Sequence, residues 1–161
     1  MSQPLYTGSE WSFELLEKVY GECEKIALDE LKLRVYPNQL EVISSEQMLD
    51  AYASSGLPIL YKHWSYGKHF SAEERNYKKG YTGLAYEIVI NSNPCINYLM
   101  EENTMTTQTT VIAHAAFGHN HFFRNNYLFR QWTDASHIIN YLIFAKNYIN
   151  DCEEKYGVEV V

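Results

Sequence analysis

The run Leu84-Ala-Tyr-Glu-Ile-Val-Ile90 constrains the fold most, because its β-branched residues suit a pleated, half-buried surface better than a helix. Asn91-Ser-Asn-Pro94 follows at once and supplies turn formers that stop a strand. A purely helical bundle is therefore excluded, and Pro94 is expected to occupy the first turn of a helix after the stop. The strand also carries a carboxylate. Under period-two alternation Glu87 shares a face with Ala85 and Val89. A carboxylate there is costly unless it is paired, hydrogen-bonded or metal-bound. Glu41, inside Leu40-Glu-Val-Ile43, poses the same question.

Around this strand the apolar residues recur at helical spacing. From Ser12, residues Leu15, Leu16, Val19, Cys23, Ile26, Ala27 and Leu31 trace one stripe between Glu and Lys, predicting an amphipathic helix. Ser44-Ser-Glu-Gln47 fits a capping box for a short helix running to about Ser55, which Gly56 and Pro58 stop. An extended stretch is expected around Tyr61 to Tyr66, and Ser71-Ala-Glu-Glu74 reads as a second capping box for a polar helix ended by Gly80. Thr104 to Phe117 is helix-compatible, with Gly118 as its end. A long last helix is expected from a cap at Thr133 or Asp134 to Gly157, carrying Ile138, Ile139, Leu142, Ala145, Ile149 and Cys152 on one stripe. The expectation is an α+β fold, a mainly helical single domain with a few short strands, spanning residues 1–161.

Charge and motif content narrow the function. A formal net charge of −7 with no basic cluster argues against a nucleic-acid binder, which needs phosphate neutralisation. Neither a membrane-spanning apolar run nor a signal-peptide pattern is present, so a cytoplasmic protein is expected. Cys23, Cys95 and Cys152 are odd in number and far apart, which fits buried thiols rather than disulfides or a thiolate metal site. Glycine-rich phosphate loops, nucleophile elbows and dinucleotide fingerprints are absent.

Chemistry concentrates in Val111-Ile-Ala-His-Ala-Ala-Phe-Gly-His-Asn-His-Phe-Phe123, an apolar stretch with three histidines. Imidazole is the commonest metal ligand and proton shuttle. His114 and His119 are five residues apart, which on a regular α-helix separates them by about 140°. A π-bulge, with its i→i+5 bonding, or a helix end at Gly118, would bring the two rings onto one ion. His121 shares a face with His114 but stands about 10 Å further along, and so reads as peripheral. The alternative is that His114 is a hydrogen-bonded core histidine while His119 and His121 favour the helix C-terminus. His63 and His69 flank an aromatic stretch expected to pack, Glu101 and Glu102 are expected in solvent, and Asp134 with His137 reads as capping.

The strings Tyr36-Pro-Asn-Gln, Ser45-Glu-Gln-Met-Leu-Asp-Ala-Tyr, His63-Trp-Ser-Tyr-Gly-Lys, Leu84-Ala-Tyr-Glu-Ile-Val-Ile-Asn-Ser-Asn-Pro-Cys and Tyr98-Leu-Met-Glu-Glu-Asn-Thr-Met-Thr resemble the SpoVR (stage V sporulation protein R) family. The likeness continues through Gly118-His-Asn, Asn126-Tyr-Leu-Phe-Arg, Trp132-Thr-Asp-Ala and Cys152-Glu-Glu-Lys-Tyr-Gly. Members of that family are longer, so the resemblance implies an N-terminal portion. It also implies a bacterial protein linked to spore cortex formation or stress physiology, with a serine protein kinase system as partner in non-sporulating relatives. It supplies no reaction. A strand glutamate followed by helical histidines and later glutamates is similar in order to zincin-type metallopeptidases. On that analogy the expected site is a divalent metal (Zn, Fe or Mn) on His114 and His119, with Glu153 as third ligand and Glu87 as base in a hydrolytic reaction. The competing expectation is a non-catalytic scaffold in which the same residues form a buried polar network.

Overall fold

The computed structural model describes residues 4–53, 75 and 86–161. The expected extended stretch around Tyr61, the capping box at Ser71, the stops at Gly56, Pro58 and Gly80, and the packing of His63 and His69 lie outside the described residues.

Helix α1 (Phe13–Lys25) begins where Ser12 Oγ accepts the Leu15 N–H at 3.2 Å, and it buries Leu16 and Val19 from the predicted stripe. The stripe continues through a π-helical turn, Ile26–Glu30, closed by the Leu31 N–H on the Ile26 carbonyl. Strand β1 (Asn38–Ile43) leads into α2 (Ser45–Ala53). The predicted capping box joins them: Gln47 Oε1 accepts the Ser44 N–H while Ser44 Oγ accepts the Gln47 N–H.

Strands β2 (Glu87–Ile90) and β3 (Cys95–Met100) complete a mixed sheet of order β1-β3-β2. Strand β3 pairs parallel with β1, Asn38 opposite Cys95, and antiparallel with β2, Glu87 opposite Leu99. The helix expected after Pro94 is therefore a strand, the central one. Proline's fixed φ suits a helix start, but it equally suits the first residues of an extended segment, and here both edges of Cys95–Met100 find partners. The alternation settles the state: Cys95, Asn97 and Leu99 are buried on one face while Ile96 and Tyr98 are half-buried on the other.

Against the Leu99 face lies a helix in three continuous parts: α3 (Met105–Ile112), a π-helical stretch (Ala113–His119) and α4 (Asn120–Asn125). Thr104, the first residue of the helix-compatible stretch, caps it, its Oγ1 accepting the Thr107 N–H. Gly118 does not end it, because the backbone at this position stays helical and the chain runs on for seven more residues to Asn125. Met105, Val111, Ile112, Ala116 and Phe117 pack with Leu16, Val19 and Leu99 into the core. Two elements follow. Helix α5 (Tyr127–Trp132) has no counterpart in the sequence reading, and α6 (Ile138–Tyr156) starts later than predicted. The residues between form a turn in which Asp134 accepts the Ser136 N–H and meets His137 Nδ1 at 2.8 Å, so Asp134 caps that turn. Gly157, at φ +83°, ends α6 as expected.

A set of amides fastens the long helix to the sheet. Asn120 Oδ1 accepts the Tyr36 N–H at 2.8 Å, and Asn120 Nδ2 donates to the Tyr36 carbonyl and to Asn38 Oδ1. Asn97 Nδ2 also donates to Asn38 Oδ1, while Asn38 Nδ2 reaches the Ala116 carbonyl. Asn97 and Asn120 are almost fully buried. Removing one amide therefore orphans several groups, each costing about 1–3 kcal/mol. Asn120→Ala is expected to lower unfolding stability by about 2–4 kcal/mol, read from urea titration.

Cys95 is fully buried and its thiol donates to the Ile90 carbonyl. Burial pushes the thiol up to about 11. Because the folded state holds this proton more tightly than the unfolded chain, stability falls as pH rises from about 9 towards 11. At pH 8 iodoacetamide is expected to leave Cys95 unlabelled in the native protein and to modify it in denaturant, as read by peptide mass spectrometry.

Candidate metal centre

Cross-strand pairing puts Glu87 on the same face as its partner Leu99, the face covered by the long helix. Among the described strands β2 lies at the edge of the sheet, and the face that carries Glu87 is the one the helix covers. The start of β2 is fixed by Asn103, whose Nδ2 donates to the Tyr86 carbonyl at 3.0 Å. Glu41 lies on the opposite face of β1, where Gln39 Nε2 donates to its Oε1 at 2.6 Å. The two strand carboxylates therefore have different fates.

The π stretch decides which histidines meet Glu87. The Asn120 N–H reaches back five residues to the Ala115 carbonyl. A turn closed this way places residues five apart on one face. His114 and His119 accordingly stand with ring centroids 4.3 Å apart. His114 Nδ1 donates to Glu87 Oε1 at 2.5 Å, and His119 Nε2 lies 3.7 Å from the same oxygen. Candidate donor atoms of Glu87, His114 and His119 all fall within 4.8 Å of one another. Of the two ways of joining these rings, the π turn is the one present.

His121 is elsewhere. Its Nδ1 accepts the Arg34 N–H at 3.0 Å and meets Asn125 Nδ2, so it helps hold the segment before β1. Glu153 lies on α6 and is not in the group of three; the carboxylate in that group is Glu87. Glu101 and Glu102 are exposed, although Glu102 Oε1 accepts the Ser45 N–H.

The three residues fit a divalent cation. Two donors on one zinc ion at about 2.0–2.1 Å and a tetrahedral angle stand about 3.3 Å apart, and the two contacts of Glu87 Oε1 bracket that distance. Glu87 Oε2 is buried and has no hydrogen-bond partner among the described residues. A buried, unpartnered carboxylate oxygen is costly, and a cation relieves that cost. The side chains of His114 and His119 are 60% and 40% exposed against 16% for Glu87, so the group opens to solvent on its histidine side. Beside it lies a cavity of about 570 Å³ bounded by Tyr86, Glu87, His114, Val111 and three threonines of α3, at 106, 107 and 110.

Sequence reasoning reached Glu87, His114 and His119 but missed Asn103 and Asn120, which set their positions, and the α3 threonines on the cavity wall. Asn120 carried a usable signal, since a polar residue inside an apolar helix needs a partner for the same reason Glu87 does.

This geometry defines an α+β domain with a two-histidine, one-carboxylate cluster between sheet and helix. The family model for SpoVR like protein matches residues 10–161, and the chain belongs to that family. It is 61% identical over 157 residues to the uncharacterized protein YcgB of Escherichia coli (strain K12), covering 98% of this chain and 31% of that protein. The chain thus spans about a third of the relative's length. No solved structure matches it. Among the described residues no helix is long and apolar enough to cross a membrane.

Gly118 sits in the π stretch, where an added Cβ would meet only the Ala113 carbonyl at 3.7 Å and His114 Cδ2 at 3.9 Å, both ordinary contacts. Gly118→Ala is expected to raise stability by about 0.4–1 kcal/mol, seen as a higher Tm, because it restricts the unfolded chain without obstructing the folded one.

Proposed function

We propose that this domain binds a divalent metal through His114, His119 and Glu87 and serves a metal-dependent hydrolytic reaction. The single observation carrying this is the Glu87 carboxylate: Oε1 faces both imidazoles, and Oε2 is buried without a hydrogen-bond partner among the described residues. Zinc is one candidate, as two histidines and a glutamate form a known catalytic set with an open position; iron or manganese suits the same donors. Such an ion supplies a bound water of lowered pKa. The protein's own part would be to hold the ion with the two imidazoles and the Glu87 carboxylate, the same carboxylate being the candidate proton acceptor. Glu87 then combines ligand and base, and Glu153 is not required as third ligand. The likeness to zincins is one of order along the chain, with the histidines joined through a π turn instead of an α turn.

Membership of the SpoVR family supports a setting in sporulation, including spore cortex formation, or in stress physiology. We place the protein in the cytoplasm, with a serine protein kinase system as partner. A second reading, a non-catalytic scaffold or regulatory partner, draws on two observations. The His114–Glu87 pair satisfies itself in part, and large aromatics stand exposed on α5 and α6, Trp132 at 76% and Phe144 at 64%.

Elemental analysis of the intact purified protein separates the readings. The wild type is expected to carry one equivalent of metal, with His114→Ala and His119→Ala weakening metal affinity at least roughly 100-fold while circular dichroism stays native. Glu153→Gln is expected to keep the metal. Metal-free wild type, with variants that merely unfold, would sink the metal reading.

A further inference from the structure

The cavity beside the candidate metal centre has a chemical character that selects its occupant. Glu87 and His114 belong to both the donor group and the cavity wall, so whatever fills the cavity lies next to the ion. The remaining wall is Tyr86, Val111 and the threonines at 106, 107 and 110. No lysine or arginine lines it among the described residues.

Two of the wall's hydroxyls are already engaged within the protein. Thr110 Oγ1 donates to the Thr106 carbonyl on its own helix, and Thr107 Oγ1 bonds to Thr104 Oγ1. Val111 contributes a buried aliphatic floor, and Tyr86 an exposed ring at the rim. Phosphoryl and carboxylate substrates are ordinarily gripped by Arg or Lys as well as by a metal. Among the described residues the wall offers Glu87 and His114 but no Lys or Arg, so apart from the ion it supplies little grip for such anions, and the chain's net charge of −7 works against them as well.

We propose that the metal centre acts on an uncharged, carbonyl-bearing substrate, an amide or an ester, whose apolar flank lies in the cavity against Tyr86, Thr110 and Val111. The inference rests on the metal reading above and adds the substrate class to it. An apolar flank gains affinity by leaving water for this wall, whereas a phosphate ester would find only the ion.

The test uses the intact protein loaded with Co(II), whose visible spectrum reports ligands entering the coordination sphere. Benzohydroxamic acid, a carbonyl-bearing chelator that is uncharged near neutral pH, releases its N–OH proton to the buffer on binding a metal and carries a phenyl flank, is titrated against acetohydroxamic acid, which lacks the flank, and against inorganic phosphate, all at one pH. Benzohydroxamate is expected to bind roughly tenfold or more tighter than acetohydroxamate, with phosphate the weakest. Thr110→Trp, at an exposed position of α3, is expected to fill the cavity and erase the phenyl advantage while cobalt remains bound; Tyr86→Ala is expected to reduce that advantage. Cobalt-loaded protein that binds phosphate as tightly as benzohydroxamate, or that gains nothing from the phenyl group, overturns this inference alone. Protein that takes up no cobalt overturns it together with the metal site on which it stands.

Discussion

Asn120 offers its side-chain amide to the backbone of Tyr36 as a neighbouring strand would, accepting from the N–H and donating to the carbonyl, and its second N–H reaches Asn38 on β1. In a fully buried setting these bonds have no water to replace them, so the helix can meet the sheet in only one axial position and rotation. His119 is the residue just before Asn120. Its place beside Glu87 therefore follows from a contact that involves neither of them.

The π stretch reconciles two demands along a single helix. Met105, Val111 and Ile112 must face the core, and Asn120 must face Tyr36. The accompanying five-residue turn also places His114 and His119 together on the flank that looks toward Glu87. A wider turn has poorer hydrogen-bond geometry than an α turn, and it persists here because packing on one side and amide bonds on the other hold it. The same device occurs after α1, where Ile26–Glu30 adjusts the stripe before the chain turns toward β1.

Locally encoded features were legible in the sequence. The helix starts near Ser12 and Thr104, the reciprocal Ser44–Gln47 box, the Glu87–Ile90 strand and the Gly157 stop all depend on residues within a few positions of one another. The pairing of β3 depends on strands elsewhere in the chain, so Pro94 alone misled the expectation there. Gly118 was read as a helix end because glycine often plays that part, yet its helical φ is imposed by the core contacts of Ala116 and Phe117 on one side and Asn120 on the other. The histidine spacing raised the π turn as one option without choosing it, since the choice is made by tertiary contacts. The asparagine network was invisible for a related reason: its members come from three separate elements.

The central strand has neighbours at very different distances along the chain. Strand β2 is joined to it by four residues, whereas β1 lies dozens of residues away and pairs in parallel. Closing a short loop costs far less entropy than closing a long one, and non-local parallel pairing is slow. The β2–β3 hairpin is thus the pairing with the smaller closure cost, and it sets the Glu87 carboxylate in register with Leu99. The parallel pairing brings Asn38 within reach of Asn120, so the imidazoles are held against that carboxylate by long-range contacts. The centre therefore joins a carboxylate placed by a local hairpin to imidazoles placed by contacts between distant parts of the chain.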